Sequence, residues 1–108
     1  MILGKIIGKT TTTKFKFLVT GNAKKFDFVQ VHHPEYGYVL CQITELERDE
    51  EKTIAKCFVI GYKDDGRIKR PRVPFHSDTE VLLADNDFIS EIIKLDKSDK
   101  GAYIGLLD

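Results

Sequence analysis

Several things are scarce or absent in this sequence. It has only two cysteines, Cys41 and Cys57, with no C-x-x-C pair and no spacing that would build a disulfide framework. That usage points to a reducing cytoplasm. It has no surplus of charge, since 17 basic residues balance 17 acidic ones. A free-standing binder of duplex DNA carries a basic excess that displaces counterions from phosphate, so any such patch here has to be local. No apolar run is long enough to cross a bilayer, which removes the membrane as a partner. Lys5 breaks the apolar opening before it can act as a signal peptide. There is no internal repeat and no low-complexity segment.

What is present is ordinary globular material. The 108 residues make one small domain, 1–108, with 42% apolar and 31% charged residues. Seven Phe and four Tyr are too many aromatics for a chain that stays unfolded.

Most of the chain has the period of a strand. Met1 to Gly8 is apolar and β-branched apart from Lys5 and two glycines. Lys14 to Thr20 alternates, with Phe15, Phe17 and Val19 on one face and Lys14, Lys16 and Thr20 on the other. Gly21-Asn22 turns the chain. Phe26 to His33 changes phase: Phe26 and Phe28 share one face, Val29 and Val31 the other. Such a pattern calls for a bulge or for cover on both faces. Pro34 to Gly37 is a turn. Tyr38 to Glu47 and Thr53 to Lys63 form a hairpin across the charged loop Arg48 to Lys52, which sets Cys41 opposite Cys57 or Val59.

Asp64-Asp65-Gly66 signals a second hairpin. After it the chain is basic and broken by Pro71 and Pro74, so it runs extended at an edge or off the sheet. Glu80 to Ala84 is a short strand. Phe88, Ile92 and Leu95, with Ile89 and Ile93 beside them, follow helical spacing, and Asn86 or Asp87 is placed to cap that helix. Lys97 to Lys100 reads as a solvated turn and Ala102 to Leu107 as a last strand. The fold expected is mainly β: a small closed or nearly closed six- to seven-stranded antiparallel β-barrel with one short helix near the C-terminus.

The search for chemistry begins at Leu3 to Lys14, LGKIIGKTTTTK. Gly8-Lys9-Thr10 looks like the end of a phosphate-binding loop. That loop needs four residues between its glycines, and Gly4 and Gly8 enclose three. It also needs a helix to follow, whereas Thr10 to Thr13 is a β-branched run that starts helices poorly. The segment is read as a first barrel strand running into a polar loop. His32, His33, Glu35, His76 and Asp78 raise the question of a metal. Adjacent His32 and His33 point to opposite faces of a strand, which spoils joint ligation, so surface and rim histidines are expected. Cys41 and Cys57 are read as small core hydrophobes. No catalytic residue, resident cofactor or metal is expected in this domain.

Arg67, Lys69, Arg70 and Arg72 place four positive charges within six residues. Such a stretch can track phosphates, pair with acidic groups of another subunit, or simply be solvated. These four are the candidate residues for DNA or subunit contact. Phe15, Phe17, Phe26 and Phe28 could serve a stacking platform for single strands, but they also have the pattern of core.

The order of motifs adds a resemblance. GKIIG (Gly4 to Gly8), FDFVQV (Phe26 to Val31), VLCQITEL (Val39 to Leu46), AKCFVIGY (Ala55 to Tyr62), RVPFHSDTEVLLAD (Arg72 to Asp85) and AYIGLL (Ala102 to Leu107) follow one another along essentially the whole chain. In that order they resemble the N-terminal barrel of HerA-type archaeal DNA translocases, a HAS-barrel shared in outline with ATP synthase subunits. Ser77-Asp78 departs from the glycine turn expected there, and Cys41 stands where a smaller residue is common.

The resemblance implies that this is the N-terminal domain of a longer chain whose RecA-like ATPase core carries the true phosphate loop and uses ATP and magnesium. It implies a hexameric ring of identical chains that drives duplex DNA through its centre in end resection and double-strand break repair. It also implies that the barrels help the ring assemble and dock a NurA-type nuclease. Two other readings compete: an independent OB-like barrel binding single-stranded nucleic acid, and a small enzyme with a metal at His32, His33 or His76.

Overall fold

The computed structural model describes residues 2–100, with side chains as far as residue 94. Seven strands precede one helix: β1 (Ile2–Ile7), β2 (Lys14–Val19), β3 (Phe28–His33), β4 (Gly37–Arg48), β5 (Thr53–Asp64), β6 (Arg67–Lys69), β7 (Glu80–Leu83) and α1 (Asn86–Lys100). They form one sheet in the order β2-β1-β7-β3-β4-β5-β6, and a further pairing of β2 with β5 closes it. Six strands therefore make an antiparallel barrel, and β6 extends it beyond the far end of β5. Closure leaves the six barrel strands no long free edge to pair with strangers.

Alternation decides what fills the interior. Phe15 and Phe17 of β2 are buried while Lys14 and Lys16 stay exposed. Val29 and Val31 from β3, Val39, Cys41 and Ile43 from β4, and Ala55, Cys57 and Val59 from β5 join them in one cluster with Leu3, Ile6 and Val81. Each large aliphatic or aromatic side chain buried there contributes roughly 1.5–3 kcal/mol. Cys41 faces Val59 across the hairpin, and Cys57 faces Ile43, one of the registers expected.

Strict alternation would point Leu46 and Tyr62 outward, so the β4–β5 ladder has to slip. It does so twice, with Ile60 the extra residue on β5 and Thr44 the extra residue on β4. Each slip bends the ribbon around the core and turns the next apolar side chain back inward. Leu46 and Tyr62 accordingly pack against the core cluster.

The same slips let the hairpin present a second apolar face on the outside. Leu40 and Ile60 point out of the barrel and meet Ile92 and Ala84, with Phe28, Phe58, Ile68, Phe88 and Ile89 around them. Helix α1 covers this patch. That cover accounts for the phase change after Phe26: Phe28 faces the helix cluster and Val29 the barrel. Phe26 is neither strand nor core. It sits at a turn with φ of 72° and is 60% exposed, with the Lys25 ammonium 5.1 Å from its ring centre.

The helix differs from expectation at both ends. Its first internal bond runs from the Ile89 N–H to the Asp85 carbonyl, so Asp85 holds the N-cap position in place of Asn86 or Asp87. At the other end, residues 97–100 belong to α1 and form no separate turn. The expected final strand at 102–107 lies outside the described residues. The turn between β5 and β6 is as expected. Asp65 and Gly66 have φ of 53° and 77°, the left-handed pair of a two-residue type I′ hairpin.

The sharpest packing constraint lies where β1 crosses β2. A Cβ on Gly4 would lie 1.9 Å from the Leu18 carbonyl oxygen and 2.8 Å from the Phe17 ring. Backbone cannot yield there without opening the strand pair. Gly4→Ala is expected to lower stability by about 3 kcal/mol or more, measured as a shift of the urea midpoint at unchanged slope.

Candidate functional site

The residues of the opening segment do not assemble a phosphate site. Gly8 takes a left-handed φ of 68° where β1 ends, and the chain passes through a loop directly into β2. The Thr10 hydroxyl donates to the Phe75 carbonyl at 2.7 Å, and Thr11 accepts from the Lys14 N–H at 3.0 Å. These bonds fasten the loop to the barrel. Among the described residues the one helix, α1, starts at Asn86, so no helix follows this loop as a phosphate-binding loop requires.

The histidines separate as their adjacency requires. His32 is exposed beside Tyr38, their ring centres 5.2 Å apart. His33 departs from the surface or rim position expected of it and is only 3% exposed. Its Nδ1 accepts from the Glu35 N–H at 3.1 Å, which leaves Nε2 to donate to the Pro74 carbonyl at 3.3 Å. The ring thus ties the β3–β4 turn to the proline-punctuated strap after β6. Among the described residues no group of three or more His, Cys, Asp or Glu is placed to hold a metal.

His33 also belongs to an aromatic ladder that leads from core to surface. Phe75, in the strap and 4% exposed, meets Phe15 edge-on at 5.4 Å and His33 at 5.5 Å. His33 lies 4.6 Å from Tyr36, and Tyr36 stacks on Tyr62 at 4.7 Å with 22° between planes. The Tyr36 hydroxyl accepts from the Arg72 N–H at 3.2 Å. The half-buried tyrosine pair forms the floor of a notch of about 440 Å³ walled by Lys69, Arg70 and Arg72.

Three of the four basic residues singled out in the sequence therefore meet at one place. Arg67 does not line the notch. It stands opposite Asp64 at the start of β6. Lys69 is already engaged, since its ammonium lies 2.8 Å from Asp64, whose hydrogen bond and charge raise the lysine pKa. Among the described residues Arg70 and Arg72 make no ion pair. Two guanidiniums over a stacked aromatic pair can take a phosphate, a carboxylate or a planar ring. Sequence reading missed Tyr36 and Tyr62, because they are 26 residues apart in sequence and stack only once β4 and β5 are paired.

The cysteines are core residues, as expected. Both are free and buried. Burial pushes both thiols well above their ordinary pKa of 9.0, and for Cys41 the neighbouring Cys57 adds to the shift. The folded chain holds both protons at alkaline pH, while the unfolded chain gives them up above about pH 9. Stability should therefore be unaffected by these thiols below pH 9 and fall as pH rises beyond it, by about 1.4 kcal/mol per pH unit for each thiol. Urea melts between pH 8 and 11 test this, and the Cys41→Ala/Cys57→Ala variant should show a shallower decline. Native protein should also leave both thiols unreacted with an aromatic disulfide reagent until it unfolds.

No protein-family model matches the chain. It is 32% identical over 92 residues to the probable DNA double-strand break repair helicase HerA of Methanocaldococcus jannaschii. That stretch covers 85% of this chain and 18% of the archaeal protein, so the chain corresponds to a small part of that protein's length. None of the helices described is long and apolar enough to cross a membrane. In sequence and in its closed six-stranded barrel, the chain fits a HerA N-terminal barrel domain.

Proposed function

We propose that this barrel is a non-catalytic assembly and docking module of an ATP-driven DNA translocase acting in end resection and double-strand break repair. The observation that carries the reading is the 32% identity to a HerA helicase over 85% of the chain. The working protein would be a cytoplasmic hexameric ring of identical chains. Its ATPase core would bind ATP and magnesium, duplex DNA would pass through the ring, and a NurA-type nuclease would dock on the barrels. The barrel suits that work physically. Its interior is filled, its strands are closed, and its helix is sealed on the outside, so it can present a surface of fixed shape to a partner.

The natural reading frame provides the test. Within a few tens of residues after Asp108 it should encode G-x-x-x-x-G-K-[ST] between an apolar strand and a helix. The full-length product should sediment as a hexamer and hydrolyse ATP, and replacing the lysine of that loop should abolish hydrolysis. A frame with no phosphate loop would remove the reading.

The arginine-walled notch favours a second reading, in which the barrel itself holds single-stranded nucleic acid by stacking on Tyr36 or Tyr62. In that case Arg70→Glu/Arg72→Glu should weaken oligonucleotide binding at low salt by about tenfold or more, measured by fluorescence anisotropy. Equal anisotropy for wild type and variant would rule it out.

A further inference from the structure

The outer face of β2 and β5 carries an arrangement that costs the isolated barrel stability. Lys16 on β2 lies directly opposite Lys56 on β5, and Lys14 is the next outward residue along β2. Like charges directly opposite on paired strands repel. This pair stands on the seam that closes the barrel, where repulsion is least welcome. The lysines line an open groove of about 760 Å³, with Lys9 at one end and Glu45 and Glu47 on the β4 side. Lys56 is relieved by Glu47 at 3.4 Å, but among the described residues Lys9, Lys14 and Lys16 have no ion-pair partner. Four lysines against two glutamates leave the groove net positive. The two carboxylates among them disfavour a continuous phosphate backbone and suit a protein segment of mixed charge.

Such a segment exists in this chain. The β4–β5 hairpin ends in Arg48-Asp49-Glu50-Glu51-Lys52, three acids between two bases, all exposed. Its turn is firm: the Asp49 N–H donates to the Lys52 carbonyl at 2.7 Å, and the Asp49 carboxylate accepts from the Glu50 N–H at 2.7 Å. Strand pairing continues to Arg48 and Thr53, which carries the loop away from its own groove. The tip carboxylates stand about 15 Å of strand from Lys16, beyond a lysine's reach. Among the described residues no ion pair involves Asp49, Glu50 or Glu51.

We infer that the lysine groove over the β2–β5 seam receives the acidic β4–β5 hairpin tip of a second copy of this chain. Asp49, Glu50 and Glu51 of the tip pair with Lys14 and Lys16, and its Arg48 or Lys52 faces Glu45. Groove and tip are different patches, so the contact is head-to-tail, the kind that can propagate around a ring. This deepens the assembly reading above and rests on it.

Two charge reversals in the full natural chain test the contact. Lys14→Glu/Lys16→Glu makes the groove acidic, and Asp49→Lys/Glu50→Lys makes the tip basic. Each variant alone should associate about tenfold more weakly than wild type by sedimentation velocity, and more salt should weaken wild type as well. An equimolar mixture of the two should restore association, because each variant then offers the complement of the other. Circular dichroism melts should show that both fold, with the groove variant no less stable than wild type. Unchanged association of either variant, or no rescue in the mixture, overturns the contact. A groove variant that loses DNA binding while its assembly is intact overturns it too, in favour of nucleic acid. A monomeric wild-type chain at all concentrations would instead remove the assembly reading itself.

Discussion

Pairing of β2 with β5 is the interaction on which the molecule depends. Without it the seven strands are an open sheet whose inner apolar face has no second layer to cover it. With it, the sheet becomes its own second layer. Phe15 and Phe17 are carried to the centre of the core by the same residues that hydrogen-bond to β5. The tight crossing at Gly4 follows, because β1 has to press against β2 for the ring of strands to be small enough to fill. So do the slips at Ile60 and Thr44, which curve the long hairpin far enough to reach β2.

Closure also decides what lies outside. A barrel filled by one face of each strand leaves the other face to be covered or solvated. On β4 and β5 that face splits into two territories. Toward α1 it is apolar, with Leu40, Ile60 and Phe58, and the helix seals it. Toward β2 it is charged, with Lys16 and Lys56 opposed across the seam. One hairpin thus supplies core, helix platform and polar surface. Its two irregularities are what make the three roles compatible.

Much of this was legible in the sequence, for physical reasons that can be named. Lys14 to Phe17 alternates cleanly, so its strand and its buried face could be read directly. Asp65-Gly66 needs only local chemistry, and a hairpin turn with positive φ could be expected there. The helix pattern at Phe88, Ile89 and Ile92 was strong, but its cap was not legible, because Asp85 acts through its backbone carbonyl. His33 was misjudged for a related reason. Its burial depends on Pro74 and Phe75, some forty residues away, folding over it, and no local pattern reports that. The basic notch was half legible: the arginines are clustered in sequence, but Tyr36 and Tyr62 become neighbours only through the pairing of β4 with β5.

The Phe75 strap has one more consequence. Together with Phe15 and His33 it stoppers one end of a barrel whose interior is already occupied by side chains. A six-stranded barrel so filled has no lumen. Each barrel is a solid post. A partner therefore meets only its outer surface, and nothing can be threaded through the barrel itself.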